Sequence, residues 1–76
     1  MTTLTTTIRG LDVELDNATG SDPGTQCDVS WNGKFQASLA ALEDTGVLCN
    51  FDTGEERAVS PAVISAITRW AVANGY

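Results

Sequence analysis

The sequence predicts an α+β fold: an antiparallel β-sheet meander of about four strands with one C-terminal helix packed on one face. Three observations predict it. Apolar and polar residues alternate through the first half of the chain, with the two-residue period of half-buried strands. Turn signals punctuate that alternation, Arg9-Gly10, Asn32-Gly33 and Gly46 among them. A 3.6-residue apolar stripe begins only after Ser60-Pro61. With 76 residues, the chain is expected to form one domain with a thin core.

Leu4, Thr6 and Ile8 share one parity, and Leu11, Val13 and Leu15 share the other. The parity switches at Arg9-Gly10, where glycine permits a bulge or a tight turn. Successive strand residues point to opposite faces, so Asp12, Glu14 and Asp16 should lie together opposite the apolar row. Residues 17–26 hold Gly20, Asp22, Pro23 and Gly24 and read as a long loop, the segment most expected to move. Cys27, Val29 and Trp31 alternate again before Asn32-Gly33, the strongest short-range hairpin signal. A strict two-residue turn would pair Trp31 with Lys34. A three-residue loop with a bulge pairs Trp31 with Phe35, Val29 with Ala37 and Cys27 with Leu39, and keeps every apolar side chain on one face. The second register is expected.

Residues 38–42 suit one helical turn, but continuing the strand fits the meander better. Residues 44–46 then turn the chain, Val47, Cys49 and Phe51 form a strand, and residues 52–54 turn it again. Glu55-Glu56-Arg57 reads as a solvated turn. Ser60 and Pro61 suit the N-cap and first position of a helix. Val63, Ile64, Ile67, Trp70 and Ala71 form its stripe, and Gly75 stops it. Alanines 62, 66 and 73 and Val72 make this helix more apolar than one docked face requires, which points to a second contact, a dimer or a partner.

Ten carboxylates stand against four bases, with no histidine, for a net charge of −6. Phosphate backbones reward lysine and arginine, so direct nucleic-acid binding is not expected. Anionic membranes repel the chain for the same reason, and no run approaches a membrane span of ~20 apolar residues. The favoured partner is cationic, a basic protein surface or a metal ion. The first residues lack a basic segment followed by an apolar one, so no signal peptide is expected and the location expected is cytoplasmic. There, Cys27 and Cys49 are expected as free thiols, with a disulfide between them as the alternative. Two cysteines without histidine do not fill a zinc site, and no cofactor or metal is expected.

The triplet Asp-Thr-Gly occurs at 44–46 and 52–54 and resembles the catalytic signature of aspartic proteases, in which two aspartates share a proton. Here one short strand separates the copies, which prevents a dyad within a chain. Turn chemistry explains both: aspartate bonds its own backbone and glycine supplies a positive φ. Asp12-x-Glu14-x-Asp16 resembles the opening of a calcium loop, but Asn17 and Pro23 stand where that loop needs glycine and glutamate. Without histidine a nucleophilic triad lacks its base, and no glycine-rich phosphate loop is present. No catalytic residue is assigned, and the protein is expected not to be an enzyme.

The row Asp12, Glu14 and Asp16 is the candidate binding feature. Its carboxylates stand ~6.8 Å apart by strand rise, close to the spacing of phosphates along an extended nucleic-acid strand. With Asp22, Asp28 and Glu43 expected nearby, they would form a negative face able to block a groove lined by lysine and arginine. An ordinary solvated sheet face accounts for the same row.

The small size, the acidity, the start Met1-Thr2-Thr3 and the meander-plus-helix layout resemble a class of small acidic proteins of bacterial viruses that inhibit host defences, anti-CRISPR proteins among them. That class shares no motif, so no functional residue carries over. The resemblance implies a stoichiometric inhibitor that occupies a basic nucleic-acid groove on a host defence complex, acting as a monomer or homodimer. The alternative is a small viral structural or assembly protein that oligomerises through its apolar C-terminal helix.

Overall fold

A computed structural model describes residues 2–17 and 25–76. Among the described residues, six strands form one antiparallel sheet in chain order: β1 (Thr2–Ile8), β2 (Leu11–Asn17), β3 (Thr25–Trp31), β4 (Phe35–Ser38), β5 (Val47–Cys49) and β6 (Glu56–Ala58). Helix α1 (Leu39–Thr45) lies between β4 and β5, and α2 (Pro61–Ala73) follows β6. The α+β class, the meander and the C-terminal helix agree with the sequence; the strand number and α1 do not.

The first hairpin turns tightly. Ile8 pairs with Leu11, leaving Arg9 and Gly10 as a two-residue loop with φ of 52° and 82°. Both values lie in the left-handed region that matches the twist of a hairpin, which glycine adopts freely and arginine only at a cost. The ladder places Leu4, Thr6 and Ile8 beside Leu15, Val13 and Leu11, so the two opposite parities form one face.

At the second hairpin the two competing registers coexist. Asn32 and Gly33 both take positive φ, and the Lys34 N–H donates to the Trp31 carbonyl at 3.1 Å, as a two-residue turn requires. The ladder nevertheless pairs Trp31 with Phe35 and Val29 with Ala37, with Lys34 as the extra residue. The expected pairing of Cys27 with Leu39 does not form, because β4 ends at Ser38.

Ser38 is strand as expected, and residues 39–42 are corrected from strand to helix. The Ser38 hydroxyl caps α1 by accepting from the Ala41 N–H. At the other end Gly46, at φ 73°, sends its N–H back to the Leu42 carbonyl. Leu39 and Leu42, three residues apart on one helical face, are fully buried. A strand would have sent them to parities one residue apart and exposed one of them.

The strand at Val47, Cys49 and Phe51 is shorter and faces the other way than its apolar alternation suggests. Leu48 is its buried residue, Val47 and Cys49 are half-buried, and Phe51 lies in the following turn. Glu56 and Arg57, expected in a solvated turn, form β6 and pair with Cys49 and Leu48. Pairing with Leu48 carries Arg57 to the core side, where its guanidinium carbon lies 3.8 Å from the centroid of the Trp31 ring. Such a cation–π contact contributes ~0.5–1 kcal/mol.

At the two Asp-Thr-Gly copies the glycines take positive φ as expected, 73° at Gly46 and 75° at Gly54, but the role of the aspartates differs. Asp44 and Thr45 belong to the last turn of α1. At the second copy it is Asn50, not Asp52, that organises the turn. Its buried side-chain oxygen accepts from the N–H groups of Asp52 and Thr53, and its carbonyl accepts from Gly54.

Helix α2 begins as expected, with the Ser60 hydroxyl accepting from the Val63 N–H and Pro61 at the first position. Ile67 and Ala71 are fully buried, and Val63, Ile64 and Trp70 pack at the margin. Both helices cover the same face of the sheet. Val13 and Leu15 of β2, Cys27 and Val29 of β3, Leu48 of β5, and the buried residues of α1 and α2 make one core cluster. Strand β2 runs to Asn17 and β3 starts at Thr25, so both ends of the expected 17–26 loop are strand. Asp22 and residues 18–24 lie outside the described residues. No described helix is long and apolar enough to cross a membrane.

Candidate functional site: the open face of the sheet

Because both helices occupy one face, no described helix covers the other face of the sheet. Its composition follows from the alternation on β2 and β3. Leu11, Val13 and Leu15 are buried beneath it, so Asp12, Glu14 and Asp16 project from it. On β3, buried Cys27 and Val29 leave Gln26, Asp28 and Ser30 on the open side. The register joins the rows. Asp12 stands opposite Ser30, Glu14 opposite Asp28, and Asp16 opposite Gln26. Strand β1 adds Thr7, Thr5 and Thr3 beside the same three carboxylates.

This face holds a shallow groove of about 860 Å³. Asp12, Glu14 and Asp28 line it together with Thr5, Ser30 and Ser38, and no described lysine or arginine does. Phe51 stands at its rim, 75% exposed, held out by the turn that Asn50 ties. Large apolar side chains this exposed are individually unremarkable. Beside a charged groove, however, an aromatic ring provides the apolar part of a contact otherwise made of carboxylates and hydroxyls.

The pair Glu14 and Asp28 is the charged centre of the face. Directly opposed strand residues have Cβ atoms ~4.5–5.5 Å apart, and like charges there are destabilising. Asp16 differs: the Thr3 hydroxyl donates to its Oδ1 at 2.6 Å, which fixes the carboxylate and neutralises part of its demand for solvent.

The sequence-selected residues thus divide. Asp12, Glu14, Asp16 and Asp28 share the open face. Glu43 does not. It sits on α1, on the helical side of the sheet, where the Thr68 hydroxyl of α2 lies 3.2 Å from its Oε1 while also bonding the Ile64 carbonyl. Glu43 is placed there by the helix that residues 38–42 form, which strand continuation could not anticipate. Phe51 and the neutral hydroxyls were not selected from sequence. The hydroxyls follow from the Arg9-Gly10 turn, which brings Thr5 beside Glu14. Phe51 had no signal beyond its place after Asn50.

The cysteines lie on opposite faces. Cys27 is buried in the core and Cys49, half-buried, belongs to the open side, and both are free thiols. Burial, with Asp28 and Glu43 close by, pushes the Cys27 thiol from 9.0 up to about 11. That is the opposite of what a nucleophilic cysteine needs. Among the described residues no group of three or more histidine, cysteine or carboxylate side chains is placed to hold a metal ion. Asp44 and Asp52 stand at opposite ends of β5. Burial and the charge of Glu43 also raise the Tyr76 phenol. The face offers negative charge and hydrogen-bond acceptors.

No protein-family model matches this chain, and no curated protein or solved structure is significantly similar to it.

Proposed function

We propose that this protein is a small acidic, non-enzymatic binding module whose open sheet face docks on a basic protein surface. The partner proposed is a nucleic-acid-binding complex, and the protein acts as a stoichiometric blocker of its groove, in the manner of a phage-type inhibitor of host defence. One observation carries the reading: Asp12, Glu14 and Asp28 converge on an uncovered face, with Glu14 directly opposite Asp28. A fold that merely needed solubility would gain by interspersing lysine there. A surface arranged against lysine and arginine gains steering and specificity from keeping one sign of charge.

The test compares wild type with the triple variant Asp12→Lys, Glu14→Lys, Asp28→Lys as bait in bacterial lysate, at low and high salt. Retention of one nucleic-acid-binding complex by the wild type alone, shed at high salt, supports the reading, and the purified complex should then lose nucleic-acid binding when the protein is added. Equal capture by the triple variant refutes it. A second reading, self-assembly through α2, draws on Val72, which is 58% exposed on that helix. Light scattering of the protein alone separates the two, because only assembly through α2 gives particles larger than a dimer that Val72→Glu disperses.

A further inference from the structure

Among the described residues, strand β1 is an edge strand without the usual protection. It closes one side of the sheet, and its seven residues, TTLTTTI, include no charge, proline or glycine. The opposite edge, β6, is three residues long and carries Glu56 and Arg57. Long, uncharged, β-branched edges pair with further strands unless they are shortened, charged or covered. The turn decides which backbone groups are free. Ile8 and Leu11 flank the two-residue loop and exchange hydrogen bonds, so alternation turns the N–H and C=O groups of Thr3, Thr5 and Thr7 away from β2.

We propose that a second copy of this chain pairs with β1, antiparallel, about a two-fold axis at Thr5. This inference rests on β1 and is independent of what the acidic face binds. Two arguments select the register. Pairs must join residues of equal parity, or one copy's core face would continue into the other's open face. Centring on Thr5 meets that condition and places Thr5 opposite Thr5 and Thr3 opposite Thr7. Every outward-facing N–H and C=O of those three threonines then has a partner. Leu4, 38% exposed, comes to lie against the partner copy's Thr6.

Charge opposes this arrangement only weakly. Each copy carries −6, yet the acidic rows begin on β2, behind a neutral strand. Three inter-strand gaps separate the two β2 strands, ~14 Å, beyond the Debye length of ~8 Å at physiological salt. Arg9 is the only base before Lys34, and it occupies a left-handed conformation at φ 52° that asparagine or glycine would hold at less cost. In the dimer its backbone arrives ~12 Å from that of the partner copy's Asp16, close enough for attraction between the extended side chains.

Sedimentation equilibrium of the full chain at ~50 mM and ~500 mM salt tests this, with amide hydrogen exchange read at two protein concentrations. The wild type is expected to dimerise with a Kd on the order of 10–100 µM, as befits an interface of less than ~1,200 Å². The dimer should tighten at high salt, and protection at Thr3, Thr5 and Thr7 should rise with concentration. Thr5→Pro removes one outward N–H from each copy without touching the β1–β2 ladder. Losing two bonds worth a factor of ~5 each, it should weaken the dimer ~25-fold. Should Thr5→Pro fail to fold, Thr5→Lys serves: it opposes two lysines on the axis and is expected to be monomeric, whereas Val72→Glu should dimerise as the wild type does. A wild type monomeric at ~1 mM in both salts overturns the proposal. So does a dimer indifferent to Thr5→Lys, or one lost in Val72→Glu.

Discussion

Replacing Asp28 with asparagine removes one of two carboxylates that face each other across β2 and β3, while keeping the shape and hydrogen-bonding capacity of the side chain. Two unit charges ~6 Å apart repel by ~0.7 kcal/mol in water, and screening at physiological salt roughly halves that. Asp28→Asn should therefore raise stability by ~0.3–0.7 kcal/mol, which for a domain of this size moves Tm up by roughly 2–4 °C. Glu14→Gln should do the same, and the double variant should gain little more than either single one, because the repulsion vanishes once. The assay is urea unfolding followed by tryptophan fluorescence, run across salt. Added salt should stabilise the wild type more than the variant, so the difference shrinks as salt rises. If Asp28→Asn is neutral or destabilising at low salt, or if the two single effects simply add, the carboxylates do not oppose each other in solution and the charged centre of the face is lost. If the variant is stabilised but its partner binding weakens, this position has been kept acidic for a purpose other than folding.

Two further outcomes follow from single residues. The folded state holds the Cys27 proton up to about 11 while the unfolded chain releases it near 9.0, so above pH 9 the unfolded state binds fewer protons and stability falls with rising pH until about 11. Below 9 the term is constant. The full loss is ~2–3 kcal/mol, and denaturant midpoints measured from pH 8 to 11 should fall less steeply for Cys27→Ala than for the wild type. Arg9→Asn relieves a left-handed arginine in a turn that favours asparagine before glycine, and should stabilise the monomer by ~0.5–1 kcal/mol in the same unfolding assay. A loss of stability would mean that the arginine side chain makes a contact within the monomer that outweighs its backbone cost.

The parts of the fold that local chemistry decides were legible in the sequence. Parity through residues 4–15 defines both the buried row and the carboxylate row, because a strand's period of two admits only one division. The cap at Ser60-Pro61 needs nothing beyond its own first turn. Elements that depend on a tertiary partner were not legible. Residues 38–42 suit strand and helix alike, and the choice falls to helix because Leu39 and Leu42 can both reach the core only at helical spacing. Leu48 points inward against the stronger apolar signal of Val47, Cys49 and Phe51, because β6 pairs with β5 and Asn50 ends the strand. The candidate site divides along the same line. The residues of β2 and β3 share a face by alternation alone, whereas the position of Glu43 depends on α1.

The two surfaces constrain each other through β1. The side chains of Thr3, Thr5 and Thr7 border the acidic face, and the outward backbone of β1 forms the edge. A dimer centred on Thr5 must put both open faces on the same side of one continuous sheet, because equal parity is what pairs the strands without turning one core outwards. The two Glu14–Asp28 centres would then lie side by side across a neutral strip of threonine, each beside its own Phe51. A basic partner meeting such a surface would engage two negative grooves at a spacing set by the sheet rather than by a flexible linker. Affinity would then rise steeply with protein concentration. Dilution separates the contributions. Below the Kd of the dimer, one copy should keep the affinity of its Glu14–Asp28 centre and lose the gain from the second, whereas the triple lysine variant should remove both.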